Sequence, residues 1–221
     1  MTAGTEPGGI DELPRIIPIF PLPGVLLLPR GRLPLNIFEP RYLQMTQDAM
    51  ASHRMIGMIQ PADPKAKLEA PEVYPVGCIG RITSFSETPD NRFLITLTGV
   101  CRFAIVRELE QDGLLYRRVR PDYSRFAGDL PEPAPLTVDR SSLLPALRAY
   151  FDRHGLTADW DAIDRADDEP LVTCLAMACP FEASEKQALL ECSSESQRVA
   201  MMQALFEMAA HGASGPKSRM Q

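Results

Sequence analysis

Five cysteines, three histidines and one run of carboxylates are the residues of this chain best suited to chemistry, and their spacing gives them no shared task. Cys78, Cys101, Cys174, Cys179 and Cys192 form no Cys-x-x-Cys pair, and His53, His154 and His211 are remote from them in sequence. A structural zinc site takes four such ligands, grouped in close pairs, and a disulfide framework takes an even set. The expectation is reduced thiols packed as small hydrophobes. Cys78 or Cys101 beside His53 would make a thiol–imidazole pair, but both cysteines fall in strand-like stretches where a small apolar residue packs well. The acidic run Asp159, Asp161, Asp164, Asp167, Asp168 and Glu169 lacks the order of a calcium loop and reads as a solvated helix face with capping acids. Gly215-Pro216-Lys217-Ser218 comes nearest to a phosphate-cradling loop, yet its proline removes a backbone donor. With no Gly-x-Ser-x-Gly and no His-Glu-x-x-His, the expectation is no enzyme, no cofactor and no metal.

Arg117, Arg118 and Arg120, followed by Arg125, are interleaved with Tyr116, Tyr123 and Phe126. Cations among aromatics are how single-stranded nucleic acid is often held, so an RNA-binding module is the alternative reading. The competing reading is a polar strand face paired with carboxylates elsewhere. Net charge is −6: residues 1–126 hold 15 Lys and Arg against 14 Asp and Glu, and residues 127–221 hold 8 against 15. That field disfavours nucleic acid as a partner. The apolar run Ile16–Leu28 is broken by Pro18, Pro21 and Pro23, and no stretch reaches the ~18 to 20 apolar residues of a membrane helix. The opening residues are acidic rather than basic, unlike a secretory signal, so a cytoplasmic location without membrane contact is expected.

The elements that must position these groups change character along the chain. Residues 1–14 are expected to be disordered. From 15 to 126 the signals are those of strands: Arg15–Phe20, Val25–Leu28, Met55–Ile59, Val76–Phe85, Arg92–Thr98, Val100–Leu109 and Leu114–Tyr123, with one helix over Pro40–Ser52. Gly77 and Gly80 inside one strand suggest bulges in a curved sheet. Residues 127–138, with Pro131, Pro133 and Pro135, read as a linker. Residues 139–212 turn helical: Asp139–His154 ends at Gly155, a short helix surrounds Trp160 and Ile163, and Asp168 opens a helix that runs to Cys179. Ser184-x-x-Gln187 and Ser194-x-x-Gln197 fit the capping-box pattern of two more. Residues 213–221 read as a flexible tail.

The segment Ile17-Pro18-Ile19-Phe20-Pro21-Leu22-Pro23-Gly24-Val25-Leu26-Leu27-Leu28-Pro29, followed by Pro34-Leu35-Asn36-Ile37-Phe38-Glu39-Pro40-Arg41-Tyr42, resembles the opening of the Lon protease substrate-binding (N-terminal) domain family. Val76-Gly77-Cys78-Ile79-Gly80 and Leu97-Thr98-Gly99-Val100-Cys101-Arg102-Phe103 resemble that family's later signatures, and Glu185-Lys186-Gln187-Ala188-Leu189-Leu190-Glu191 resembles a segment of its helical part. The resemblance implies an α+β fold, a PUA-like β-barrel followed by a C-terminal helical bundle. It also implies a role in recognising protein substrates, in a stand-alone form that lacks the ATPase and peptidase of full-length Lon. Unfolded or extended protein segments are the partners expected, with a separate protease as a further candidate. An extended segment could add to an unpaired strand edge while its apolar side chains meet Phe20, Leu22, Pro23, Leu35, Ile37 and Phe38.

Overall fold

A computed structural model describes residues 7–63, 65 and 70–211. Six strands and a helix come first: β1 (Ile17–Pro21), β2 (Arg32–Ile37), α1 (Pro40–Met50), β3 (Met55–Ile59), β4 (Val76–Glu87), β5 (Phe93–Leu109) and β6 (Arg118–Asp122). Helices α2 (Arg140–His154), α3 (Trp160–Arg165), α4 (Asp168–Ala178), α5 (Ala183–Glu191) and α6 (Glu195–His211) follow. The chain divides into two compact units, 1–133 with 177–191, and 134–176 with 192–221.

In the first unit the strands are hydrogen-bonded in the order β2-β5-β4-β3-β1-β6, and β5 also pairs with β6, so the ladder returns on itself through β5. All pairings are antiparallel except β1 with β3. Both faces of β3 are buried, and Ile17, Ile19, Leu27, Leu28, Ile37, Met45, Ile56, Ile79, Leu97 and Phe103 are all fully buried in this unit. Two glycines make this closure possible. A Cβ on Gly77 would lie 2.6 Å from the Met58 carbonyl and 2.7 Å from the Phe103 ring. At Gly99 a Cβ would collide with the Leu28 carbonyl, where the loop before β2 crosses β5. The register slips between Ile79 and Gly80 and again between Ile82 and Ser84, the bulges by which β4 bends.

Several expectations change. Val25–Leu28 is a loop whose Leu26, Leu27 and Leu28 fill the core, so its apolar run comes from burial and not from strand pairing. Arg92–Thr98 and Val100–Leu109 are one continuous strand. Its Gly99 marks a close crossing rather than a break. Arg32–Ile37, not anticipated as a strand, pairs along its whole length with β5. Residues 7–14 do not fit a disordered start: Ile10–Glu12 form a 3-10 turn, Leu13 is buried, and the Tyr123 hydroxyl donates to the Pro14 carbonyl at 3.0 Å. Residues 1–6 and the tail 213–221 lie outside the described residues. The start of the expected linker is ordered too, with Ser124–Asp129 forming a 3-10 helix around buried Phe126.

The largest correction concerns 139–212, which is not one helical domain, because 177–191 belongs with the strands. Polar groups explain it. Buried Lys186 donates from Nζ to the Gly24 carbonyl at 2.8 Å and the Met177 carbonyl at 3.2 Å. Gln187 donates to the Val76 carbonyl at 3.1 Å and Gln60 to the Ala183 carbonyl at 3.0 Å. The α5 cap also shifts by two residues. Glu185, not Gln187, reaches back, accepting from the Glu182 N–H at 2.8 Å. Ser194 does cap α6, accepting from Gln197 N–H at 3.1 Å.

In the second unit, Asp139 caps α2 by accepting from Ser141 N–H, and Gly155 ends it at φ 64°. Helix α2 packs on α6, with the Tyr150 and Phe206 rings 5.0 Å apart. Arg140 ties the unit's loops together. Its guanidinium donates to the Ile163, Asp164 and Ala166 carbonyls at the end of α3 and to the Asp168 carboxylate.

Candidate functional site

The groups that could react are held apart or used for structure. Cys78 and Cys101 are completely buried within the sheet. Burial pushes the Cys101 thiol up to about 12, helped by the Asp129 carboxylate, and it donates to the Phe126 carbonyl at 3.4 Å. Burial also raises Cys78 well above the ordinary thiol range. Thiolates are the nucleophiles, so neither position favours the reactive form. His53 uses Nδ1 to accept from Met55 N–H at 3.1 Å, and burial, followed by the nearby Arg81 charge, holds its pKa below the usual imidazole value. Among the described residues no group of three or more His, Cys, Asp or Glu is placed to hold a metal.

The acidic run is occupied by architecture. Asp159 caps α3 by accepting from Ala162 N–H at 3.0 Å. Asp168 accepts from Val138 N–H at 2.8 Å and from Arg140, in that order the causes that hold its carboxyl below the usual range. Asp168, with Asp167, Glu169 and Arg140, borders an open hollow of about 520 Å³ that has Pro135, Leu136 and Pro170 on its other walls.

The arginine strand is not a stacking platform. Arg117 donates twice to the Glu108 carboxylate, at 2.7 Å each, and again to the Pro71 carbonyl. Arg118 reaches the Glu110 carbonyl, and Arg120 stands exposed beside Arg107 on the neighbouring strand. The aromatics are turned inward: Tyr116 donates to Asp48 at 2.9 Å, Tyr123 to Pro14, and Phe126 is buried beneath Arg102.

The six apolar candidates separate into two groups. Phe20 is in the core, its ring 4.1 Å from Tyr42, and Ile37 is 1% exposed; neither reaches a partner in this conformation. Leu22 and Leu35 are half-buried and Pro23 is exposed. Phe38 is 60% exposed, touched on one side by the Arg92 guanidinium. Two residues that sequence reasoning passed over join it. Leu94 is exposed on the outer face of β5, and Phe85 is exposed beside Phe93, with ring centroids 5.0 Å apart. A signal existed for Leu94: in Phe93–Thr98 it takes a place in the polar half of the alternation, among Thr96 and Thr98.

These three side chains decorate one structural feature. Beyond Ile82, β4 no longer pairs with β3, and the ends of β4, β5 and β2 continue as a three-stranded arm closed by the Thr88–Arg92 turn. The arm has two edges without a strand partner among the described residues, Arg32–Ile37 on one side and Thr83–Glu87 on the other. Apolar side chains beside unpaired backbone are the combination that extended polypeptides recognise.

Residues 16–207 match the family model described as the ATP-dependent protease La (LON) substrate-binding domain. The chain is 24% identical over 205 residues to the Lon protease of Syntrophus aciditrophicus, covering 88% of this chain and 25% of that protein. It is 23% identical over 193 residues to the Lon protease of Bacillus thuringiensis, covering 84% and 23%. With Lon protease 2 of Myxococcus xanthus it shares 27% over 123 residues, 53% of this chain and 15% of that one. The chain thus spans a quarter or less of the length of these curated relatives. Among solved structures it is similar to the Lon N-terminal domain protein from Xanthomonas campestris (TM-score 0.57, 21% identity, 86% of this chain and 97% of that one). It is also similar to the N-terminal domain of the Mycobacterium avium complex Lon protease (TM-score 0.57, 15% identity, 87% and 98%). At these identities the solved structures speak for the fold alone.

Proposed function

Because the chain belongs to the Lon substrate-binding domain family, we propose that it binds unfolded or extended segments of other proteins and performs no chemistry on them. One observation carries this reading: Phe38, Phe85 and Leu94 stand exposed on an arm that also offers unpaired strand edges. An exposed aromatic that becomes buried on binding is the kind of residue that dominates an interface. The strand ladder that returns on itself through β5 supports a PUA-like barrel as the platform of the arm. Among the described residues no helix is long and apolar enough to cross a membrane. Free thiols at all five cysteines suit a reducing compartment such as the cytoplasm. A separate protease is the recipient this reading names for the captured chain.

The test is equilibrium binding of a labelled, permanently unfolded protein to the full chain. A Phe85→Ser, Leu94→Ser double variant is expected to bind at least tenfold more weakly, the loss of about 1.4 kcal/mol of contact, with its strand signal unchanged. The reading fails if the unaltered chain retains no unfolded ligand, or if the variant binds as tightly as the original.

A further inference from the structure

Building on that reading, we propose that the captured segment is the carboxyl-terminal end of a partner protein. It adds antiparallel to β4 along Thr83–Glu87, and its terminal carboxylate meets Arg54 and Arg81.

The backbone chooses between the two edges. Gly99 N–H donates to the Gly31 carbonyl at 2.8 Å, which fixes the phase of the β2–β5 ladder. In an antiparallel pair, residues alternate between exchanging hydrogen bonds with the partner strand and facing away. The register from Arg32 opposite Thr98 to Ile37 opposite Phe93 then gives Leu33, Leu35 and Ile37 to β5, and turns the backbone of Arg32, Pro34 and Asn36 outward. Pro34 has no N–H, so the middle of that edge lacks a donor, and an added strand would carry an unmatched carbonyl there. Proline on an outer strand is a common protection against unwanted pairing.

The same phase, carried across β5, leaves the other edge intact. Leu94 and Thr96 face β4, opposite Ser86 and Ser84. Phe85 and Glu87 therefore turn both N–H and C=O to the free side, and Thr83–Glu87 contains no proline and is exposed throughout. Phe85 lies within this edge, ready to meet an apolar side chain directly across, where Cβ atoms come within ~5 Å.

Direction follows from β3 and from charge. Strand β3 runs antiparallel to β4 from Met55 opposite Arg81, and Ile82 N–H donates to the Arg54 carbonyl at 2.8 Å. A segment antiparallel to β4 at Thr83–Glu87 is thus in line with β3 and ahead of it, and its carboxyl-terminal end abuts the corner between α1 and β3. That corner is cationic. Arg54 and Arg81 are half-buried there, and neither has an ion pair among the described residues. The Nε of Arg54 is buried without an acceptor, and its Nη2 meets only the Met50 sulfur, at 3.8 Å. A carboxylate supplies what these guanidinium groups lack. Parallel addition would bring an ammonium group to the same place, against two like charges.

The test uses the full chain and labelled ten-residue peptides of apolar and β-branched residues, made as free acid, as carboxyl-terminal amide, and as free acid N-methylated on the residues that face β4. The free acid is expected to bind about tenfold or more tightly than the amide, a charge-assisted contact being at stake, and N-methylation is expected to abolish binding. Arg54→Gln with Arg81→Gln is expected to lower the free acid to the affinity of the amide and leave the amide unchanged, at an unchanged melting temperature. Equal binding of acid and amide, or a double variant that still prefers the acid, overturns this assignment while leaving peptide capture in place. If the unaltered chain binds none of the peptides, capture and assignment fall together.

Discussion

Asp129 grips Arg102 with both carboxylate oxygens: Oδ2 accepts from the backbone N–H and from Nε of Arg102 at 2.9 Å each, and Oδ1 accepts from Nη2 at 2.7 Å. Each side chain is only 9% exposed. The same guanidinium donates through Nη1 to the Leu190 carbonyl at 3.0 Å and lies over the Phe126 ring at 4.8 Å. One arginine on β5 thereby joins the 3-10 helix at 124–129 and α5 to the sheet.

Removing the carboxylate leaves a buried guanidinium without its counter-charge, the costliest way to break such a pair. Asp129→Ala is expected to destabilise the first unit by about 3 to 5 kcal/mol. Denaturant unfolding followed through the strand signal checks this, and a loss below 1 kcal/mol would reassign the pair to the class of weak surface bridges.

Gly99 and Gly24 separate two reasons for glycine. Gly24 sits at φ 72° with open space around it, so Gly24→Ala is expected to cost about 1 kcal/mol of backbone strain and no more. Gly99→Ala drives a methyl group into the Leu28 backbone and should cost more than about 2 kcal/mol, by overpacking. Thermal unfolding of the two variants side by side gives the order, and equal losses would contradict the crossing.

His53 makes stability depend on pH. Burial and Arg81 lower its pKa in the folded chain, so on acidification the unfolded chain takes up the proton first. The contribution is expected to be absent above the unfolded value of about 6.5, to erode stability as pH falls below it, and to level off beneath the folded pKa. His53→Gln is expected to flatten the stability profile below about pH 6.5 relative to the unaltered chain. Parallel profiles for the two proteins would exclude the assignment.

Arg140 carries the corresponding load in the second unit. Its guanidinium satisfies three carbonyls and the Asp168 carboxylate, so Arg140→Ala takes the donor from all four acceptors at once. A loss of about 2 to 3 kcal/mol is expected, in the range for hydrogen bonds to a charged group. Amide hydrogen exchange should quicken over 134–176, and unchanged protection there would show the loops to be held by other contacts.

Where the governing interactions are local, the amino-acid sequence was sufficient. Pro40 in the first turn of α1, the apolar run of β3, Asp139 and Gly155 at the two ends of α2, and Ser194 ahead of α6 could each be read from the few residues around them, because caps and periodicity act within one turn or one pleat. The signature segments around 17–42, 76–80 and 97–103 likewise identified the family from residue order alone.

What lay beyond reach was decided by partners distant in sequence. Nothing near Lys186 or Gln187 shows that they meet the carbonyls of Gly24 and Val76, contacts that assign α5 to the strands. Gly99 looked like a strand end because the Leu28 backbone crossing it is 71 residues away. Phe20, Ile37 and Phe38 are equally apolar in the sequence; only the packing of the sheet buried the first two and exposed the third. The edges of the arm belong to the same category, since an unpaired backbone becomes visible only when the register has settled which strands have neighbours.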